Sequence, residues 1–258
     1  MLTSINQHLQ KIKLENPLIL NMTNAVTIDF VANGLLSLGA SPIMSKAQQE
    51  IDDLLKIAKS VVINIGTLNQ AFVEICELTC ANANKCNVPI ILDPVGCGAS
   101  HYRTEMSKKL IDQYQIAIIR GNASEILSLS SASTTKGVDS THQSEQAIAT
   151  AQLLSKQYQT CIVISGKTDV IVDQDNINKI NRGSSLMPKI TGTGCLLSAV
   201  VAAFHATEEN RFMAATHAVT FYGICGEMAA QNAVGPGSFK VNFLDALHTY
   251  LTLEQYEK

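Results

Sequence analysis

The chain reads as an α/β protein whose mostly parallel central sheet is flanked by helices on both faces. Two observations predict this. First, short apolar runs of four to six residues, such as 61–65, 88–92, 116–119 and 161–164, alternate with amphipathic stretches of ten to sixteen residues. Strands that are apolar throughout are those buried between two helical layers. Second, the runs end in polar or glycine-containing steps: Gly66-Thr67, Asp93-Pro94, Arg120-Gly121-Asn122 and Ser165-Gly166. In an open parallel sheet such steps gather at the carboxyl edge, where ligands bind. The 258 residues are 46% hydrophobic and 16% charged, enough to bury one sizeable core and too apolar for a disordered chain. No linker, low-complexity run or repeat interrupts them, so residues 1–258 read as a single domain.

The elements follow in order. Ile5, Leu9 and Ile12 recur at helical spacing and predict a helix over 3–13. Residues 17–20 are a short buried strand. Helical periodicity over 26–38 is closed by Gly39. Residues 42–44 are extended, and 50–59 place Ile51, Leu54, Leu55 and Ala58 on one helical face. A strand at 61–65, a helix at 69–84, a strand at 88–92 and a helix at 104–114 come next. The strand 116–119 leads into a helix over 122–129, and the Ser/Thr-rich stretch 128–141 reads as a surface connection. Residues 144–158 are helical and 161–164 extended. Segments 170–172 and 177–181 flank a polar turn and predict an antiparallel ribbon. Three helices, 194–207, 211–232 and 242–253, complete the chain, with Gly235-Pro-Gly-Ser-Phe239 read as the break between the last two in preference to a phosphate or cation loop.

Composition excludes several function classes. With 19 Lys+Arg against 22 Asp+Glu the formal net charge is −3, and Trp is absent. Nothing provides the basic excess or stacking platforms that nucleic acids require. The longest apolar run, 195–204, is half the roughly 20 residues of a membrane helix. The first ten residues carry neither a basic nor an apolar signal region, so a cytoplasmic location is expected. The seven cysteines form no Cys-x-x-Cys and suggest neither disulfides nor zinc.

Several motifs carry chemistry. Ser165-Gly166-Lys167-Thr168 resembles the end of a phosphate-binding loop, but the Gly required five positions before Gly166 is Cys161. Ser165 still offers a hydroxyl at the ligand edge. Thr191-Gly192-Thr193-Gly194-Cys195 lacks the third glycine of a dinucleotide fingerprint, yet feeds an apolar helix. Its glycines allow close backbone approach, and the first amides of that helix form an anion site suited to a phosphoryl group. Cys195, in the first helical turn, is expected to have a lowered pKa. It reads as a nucleophile, a weak base or a packed thiol, and neither His205 nor His217 is placed near it. Asn122-Ala-Ser-Glu125 is a helix cap by spacing; alternatively Asn122 and Glu125 orient water and Mg²⁺ near phosphates. Asp93 is a second carboxylate on the same edge, and Arg120 is placed to pair with phosphate oxygens. Met44 is either core or an apolar ligand wall.

Together these segments resemble the hydroxyethylthiazole kinase family. The resemblance rests on Asn21-Met-Thr-Asn24, Phe30-Val-Ala-Asn-Gly-Leu-Leu-Ser-Leu-Gly-Ala-Ser-Pro-Ile-Met44, Asn64-Ile-Gly-Thr67, Leu92-Asp-Pro-Val-Gly96, Arg120-Gly-Asn-Ala-Ser-Glu125, Thr191-Gly-Thr-Gly-Cys195 and Gly235-Pro-Gly-Ser-Phe239. It runs in order from about residue 15 to 250. It implies a ribokinase-like fold and transfer of the ATP γ-phosphoryl to the primary alcohol of 4-methyl-5-(2-hydroxyethyl)thiazole, in thiamine salvage. It also implies Mg²⁺ and a homotrimer with active sites between subunits. Carried over, Met44 and Gly192 touch the thiazole, and Asn24 lines the alcohol pocket. Arg120 and Ser165 meet ATP, with Asn122 and Gly194 at its phosphates, and Asp93 and Glu125 belong to the Mg²⁺–phosphate region. Where the wider ribokinase-like pattern has Asp after the second glycine, this chain has Cys195, expected to orient the alcohol or weakly accept its proton. The alternatives are a kinase for a hydroxymethylpyrimidine or pyridoxal alcohol, a non-catalytic nucleotide-binding protein of the same fold, and a covalent cysteine enzyme.

Overall fold

The structure is a computed structural model and describes residues 1–130 and 140–249, the first five of the latter by backbone only. Leu2, Ile5, Leu9 and Ile12 share the buried face of α1 (Leu2–Glu15), which ends in a left-handed Asn16. Pro17 then opens β1 (Leu18–Met22). Gly39 closes α2 (Ile28–Leu38) at φ 99°. There follow β2 (Ser41–Ile43), α3 (Ile51–Leu55), β3 (Ser60–Asn64), α4 (Gln70–Lys85), β4 (Ile90–Asp93) and α5 (His101–Gln113). The next elements are β5 (Ile118–Asn122), α6 (Ala123–Leu129), α7 (Ser140–Tyr158) and β6 (Cys161–Ser165). The ribbon of β7 (Asp169–Asp173) and β8 (Asn176–Ile180) leads to α8 (Thr193–His205), α9 (Arg211–Gln231) and α10 (Pro236–His248).

All eight strands form one sheet in the order β2-β1-β3-β4-β5-β6-β7-β8. The first six are parallel, and β7 and β8 run antiparallel at one edge. The apolar runs are continuous because each face of the sheet has its own core. Val62, Ile91, Ile118 and Val163 point into the layer built with α1, α2, α8, α9 and α10. Val61, Ile63, Ile90, Leu92 and Ile162 point into the opposite layer, with α3 to α7. The run at 195–204 is the body of α8, whose residues from Leu196 to Phe204 are all buried. A helix apolar on every side needs a buried berth, and α8 has one between the sheet and α9. Among the described residues no helix is long and apolar enough to cross a membrane.

Most element ends shift by a residue or more from the sequence reading, and three of the differences have a plain physical reason. α3 stops at Leu55, short of 59, because Lys59 N–H already bonds Leu18 C=O (2.9 Å) to start β3 beside β1. β5 runs on through Arg120 to Asn122, since its ladder with β6 extends to the Asn122–Ser165 pair; the charged Arg120 hides that extension from an apolar-run reading. α10 begins at Pro236, six residues before 242, so Gly235-Pro-Gly-Ser-Phe239 is the start of the helix and not the break. Pro236 suits the first helical turn, where an N–H would have no acceptor. Ser238 Oγ accepts the N–H groups of Val234 (3.0 Å) and Gly235 (3.3 Å). Most of the polar stretch 128–141, and residues 250–253, lie outside the described residues.

Phe239 is fully buried and stacks on Phe243 at 5.7 Å, which meets Tyr222 edge-on at 4.9 Å. Phe239→Ala is expected to cost about 3–5 kcal/mol, seen in urea unfolding as a lower midpoint with an unchanged slope.

Candidate active site

The chain crosses the sheet in opposite directions from β1, to β2 on one side and β3 on the other. Such a reversal opens a crevice beyond the carboxyl ends of the two strands. Its walls here are the loop after β1, carrying Asn24, and the Gly66-Thr67 turn after β3, joined where Ala25 N–H bonds Thr67 Oγ1 (2.9 Å). Asn24 Nδ2 donates to Asn64 Oδ1 (2.9 Å) and lies 3.2 Å from Cys195 Sγ, while Thr27 Oγ1 donates to Asn24 Oδ1 (3.1 Å). Asn64 Nδ2 passes the network on to Asp93 Oδ2 (2.8 Å), which also accepts from Ser198 Oγ on α8 (2.8 Å). Arg120 Nη1 stands 3.7 Å from the same oxygen, and its Nη2 donates to Ser165 Oγ. One polar chain thus links residues at the ends of β1, β3, β4, β5 and β6.

The amino end of α8 closes over this chain. Gly192 caps the helix at φ 96°, and a Cβ on it would lie 2.9 Å from Thr27 Cγ2. Leu196 N–H makes the first helical bond, to Gly192 C=O (2.8 Å), so the amides of Thr193, Gly194 and Cys195 precede the intrahelical ladder. The Arg120 guanidinium packs against Gly194 so closely that a Cβ there would sit 2.6 Å from Nη1. Behind the turn, Tyr222 OH donates to Thr193 C=O (2.7 Å) and Thr193 Oγ1 to Met187 C=O (3.0 Å). Backbone donors and a guanidinium therefore converge, an arrangement that favours anions.

Burial dominates the electrostatics. The fully buried Asp93 is pushed up to about 6 by desolvation, against the pull of Arg120 and the hydrogen bonds from Ser198 and Asn64. Its Oδ1 has no partner among the described residues. The lowered pKa expected for Cys195 is not found. Burial pushes this thiol up and the Asp93 charge pushes the same way, outweighing the hydrogen bonds from Thr27, Asn64 and Asn24. The helix terminus acts on Sγ, but removal from water acts more strongly.

Asn122 and Glu125 form the cap that their spacing suggests. Asn122 Oδ1 accepts Glu125 N–H (3.0 Å), and Glu125 Oε2 accepts Asn122 N–H (2.8 Å). Glu125 Oε1 also accepts Gly96 N–H (2.8 Å), which ties the loop after β4 to α6. Asn24, Asp93, Arg120, Ser165, Gly192, Gly194 and Cys195 are brought together. Met44 stands apart, half-buried after β2 against the same core layer as Cys195. Ser165-Gly166 turns the chain into β7, Gly166 N–H bonding Asp169 Oδ1 (2.9 Å).

Sequence reasoning missed four contributors. Asn64 and Ser198 were findable as the polar residues inside the apolar runs 61–65 and 195–204. Thr27 fell inside the helix expected over 26–38 and carried no signal of its own; the structure places it just before α2. Nothing marked Arg103, on the polar α5, whose guanidinium holds Ile65 C=O (2.9 Å), Val95 C=O (2.8 Å) and Gly66 C=O (2.9 Å).

Comparison with known proteins gives this architecture its class. A solved ribokinase-like superfamily protein from Enterococcus faecalis superposes with a TM-score of 0.69 at 14% identity, over 97% of this chain and 89% of that one. The fold is therefore ribokinase-like. The sequence profile of the hydroxyethylthiazole kinase family matches residues 9–254. The hydroxyethylthiazole kinase of Desulfotalea psychrophila is 45% identical over 98% of this chain and 92% of its own length. That of Leptospira biflexa is 44% identical, over 94% and 91% respectively. The solved hydroxyethylthiazole kinase protein of Pyrococcus horikoshii superposes with a TM-score of 0.89 at 32% identity, over 99% of this chain and 98% of its own. The chain belongs to the hydroxyethylthiazole kinase family.

A carboxyl whose pKa is raised on folding stabilises most when protonated in both states, and that contribution is lost as pH climbs through its folded value. With Asp93 at about 6, an Asp93→Asn chain should gain stability over the wild type at pH 7 and lose that advantage as pH falls toward 4. Urea unfolding across this range measures the gap.

Proposed function

We propose that this chain transfers the γ-phosphoryl group of ATP to the primary alcohol of 4-methyl-5-(2-hydroxyethyl)thiazole, a step of thiamine salvage. The observation that carries this reading is the Gly192–Cys195 turn, with its unpaired amides at the head of α8 and Arg120 packed against Gly194, in a member of this family. The alcohol oxygen forms a bond to the γ-phosphorus as the bond to the ADP oxygen breaks, and the hydroxyl proton leaves late, to a phosphoryl oxygen and from there to solvent. In a loose transition state this needs placement and charge stabilisation more than an early base. The amides of Thr193, Gly194 and Cys195, with Arg120, supply donors to the phosphoryl oxygens. Ser165, bonded to Arg120, and Asn122, at the head of α6, lie on the nucleotide side.

Met44 and Gly192 contact the thiazole in this reading, and Asn24 lines the pocket of its hydroxyethyl arm. A thiol held protonated by burial adds no negative charge beside the phosphates, so Cys195 orients the alcohol and forms no covalent intermediate. Its hydrogen bond with Asn24 (3.2 Å) supports this role.

The residues present fit a Mg²⁺ ion. Asp93 Oδ1 is a buried carboxylate oxygen without a partner among the described residues, and Mg²⁺ takes one or two protein carboxylates beside phosphates and waters. Asp93 would hold it. Both oxygens of Glu125 already accept backbone amides, so Glu125 contributes charge to the metal region and fixes the loop beside Asp93. When bound, the ion neutralises charge on the transferring phosphates. Residues 1–258 act as one kinase domain in the cytoplasm, as a homotrimer with sites between subunits. The exposed apolar Val26, Leu36 and Val241, on the lead-in to α2, on α2 and on α10, support burial against another copy.

A coupled ADP assay with the thiazole alcohol, hydroxymethylpyrimidine and pyridoxal, with and without Mg²⁺, tests the activity. Turnover is expected with the thiazole and Mg²⁺; turnover confined to another alcohol, or none, refutes it. Gly194→Ala should displace Arg120 and lower kcat/KM by about 100-fold, the scale of a misplacement of about 1 Å, with folding intact by circular dichroism. Cys195→Ala should lose less than the roughly 100-fold expected on removing a general base.

A further inference from the structure

At the far end of α8, His217 on α9 is 1% exposed, and neither of its ring nitrogens has a hydrogen-bond partner among the described residues. A buried imidazole left this way is costly unless something satisfies it. Facing it is His8 of α1, with ring centroids 5.4 Å apart, and Glu208 of the turn between α8 and α9. His8 Nε2 lies 3.0 Å from Glu208 Oε2. One donor atom from each of the three residues lies within 4.8 Å of the others.

We propose that His8, Glu208 and His217 form a binding site for a divalent transition metal of the Zn²⁺ class, which ties α1 to α9 and to the turn before it. Two imidazoles and a carboxylate are a known three-ligand donor set for zinc, with a fourth position left for water. The surroundings are those of a metal site. Thr207 Oγ1 lies 3.4 Å from His8 Nδ1, leaving Nε2 toward the cluster. Glu208 Oε1 accepts Asn210 N–H (3.1 Å), and Glu208 C=O is 2.8 Å from His205 Nδ1, so the turn carrying the carboxylate is itself held. Such outer contacts orient metal ligands. The His8–Glu208 contact alone leaves both His217 nitrogens without a partner among the described residues, whereas one cation would take one donor atom from each of the three residues. The thirteen residues of α8 put this cluster about 20 Å from the phosphoryl-transfer edge, so the metal serves stability and not turnover.

The test uses the tag-free chain, stripped with a chelator and titrated with Zn²⁺ and, for its spectrum, Co²⁺. One equivalent per chain is expected, with visible Co²⁺ bands, no thiolate charge-transfer band, and a higher thermal midpoint with Zn²⁺. His8→Gln, at a partly exposed position, should fold, keep kinase turnover, and weaken Zn²⁺ binding at least about tenfold, since even outer-shell partners act on that scale. His217→Asn should abolish the thermal shift. No stoichiometric binding, a thiolate band that assigns the metal to cysteines, or unchanged affinity in His8→Gln would each overturn the proposal.

Discussion

The fold's functional edge depends on satisfying one buried carboxylate. Asp93 is fully buried, so groups of the protein must take the place of bulk solvent, and they come from three different elements: hydrogen bonds from Asn64 at the end of β3 and Ser198 inside α8, and the charge of Arg120 on β5. Each donor fixes the position of something else. Asn64 holds Asn24, Ser198 seats the first turns of α8 against the sheet, and Arg120 is drawn against Gly194 and Ser165. Buried polar networks of this kind specify a single arrangement because any member left unpaired is costly.

The same burial decides the character of Cys195. A helix amino terminus at the surface would favour a thiolate. Here the terminus sits under Thr27 and Asn24, close to the Asp93 carboxylate, and desolvation prevails. The result is a neutral side chain at the one place where an extra negative charge would oppose an incoming phosphate. Arg120 then remains the formal charge closest to Gly194, and the amides before Leu196 complete a positive surface.

Much of this was legible in the residues. The sheet followed from continuous apolar runs, the cap from Asn122 and Glu125, and the turn that opens α8 from two glycines before an apolar helix. What was not legible depended on contacts distant in sequence. The raised pKa of Cys195 requires knowing first that the thiol is buried and then that Asp93, 102 positions earlier, lies beside it. The early start of α10 was obscured because Gly-Pro-Gly suggests a break, whereas Pro236 fits a first turn and Ser238 caps it. Arg120 concealed the end of β5, since a charge within a strand is unexpected until its partners on β4 and β6 are seen. Family resemblance supplied what geometry alone does not, the identity of the alcohol.

Arg103 gives the crevice an asymmetry. One guanidinium grips carbonyls from the loops after both β3 and β4, so these two loops form a single stiff lip. The opposite lip, from Thr23 to Thr27, is fastened to it mainly through Ala25 on Thr67 and Asn24 on Asn64. The two lips are therefore unequally braced: the stapled one is an anvil, and a bulky guest would have to be accommodated at the expense of the two bonds that fasten the segment after β1.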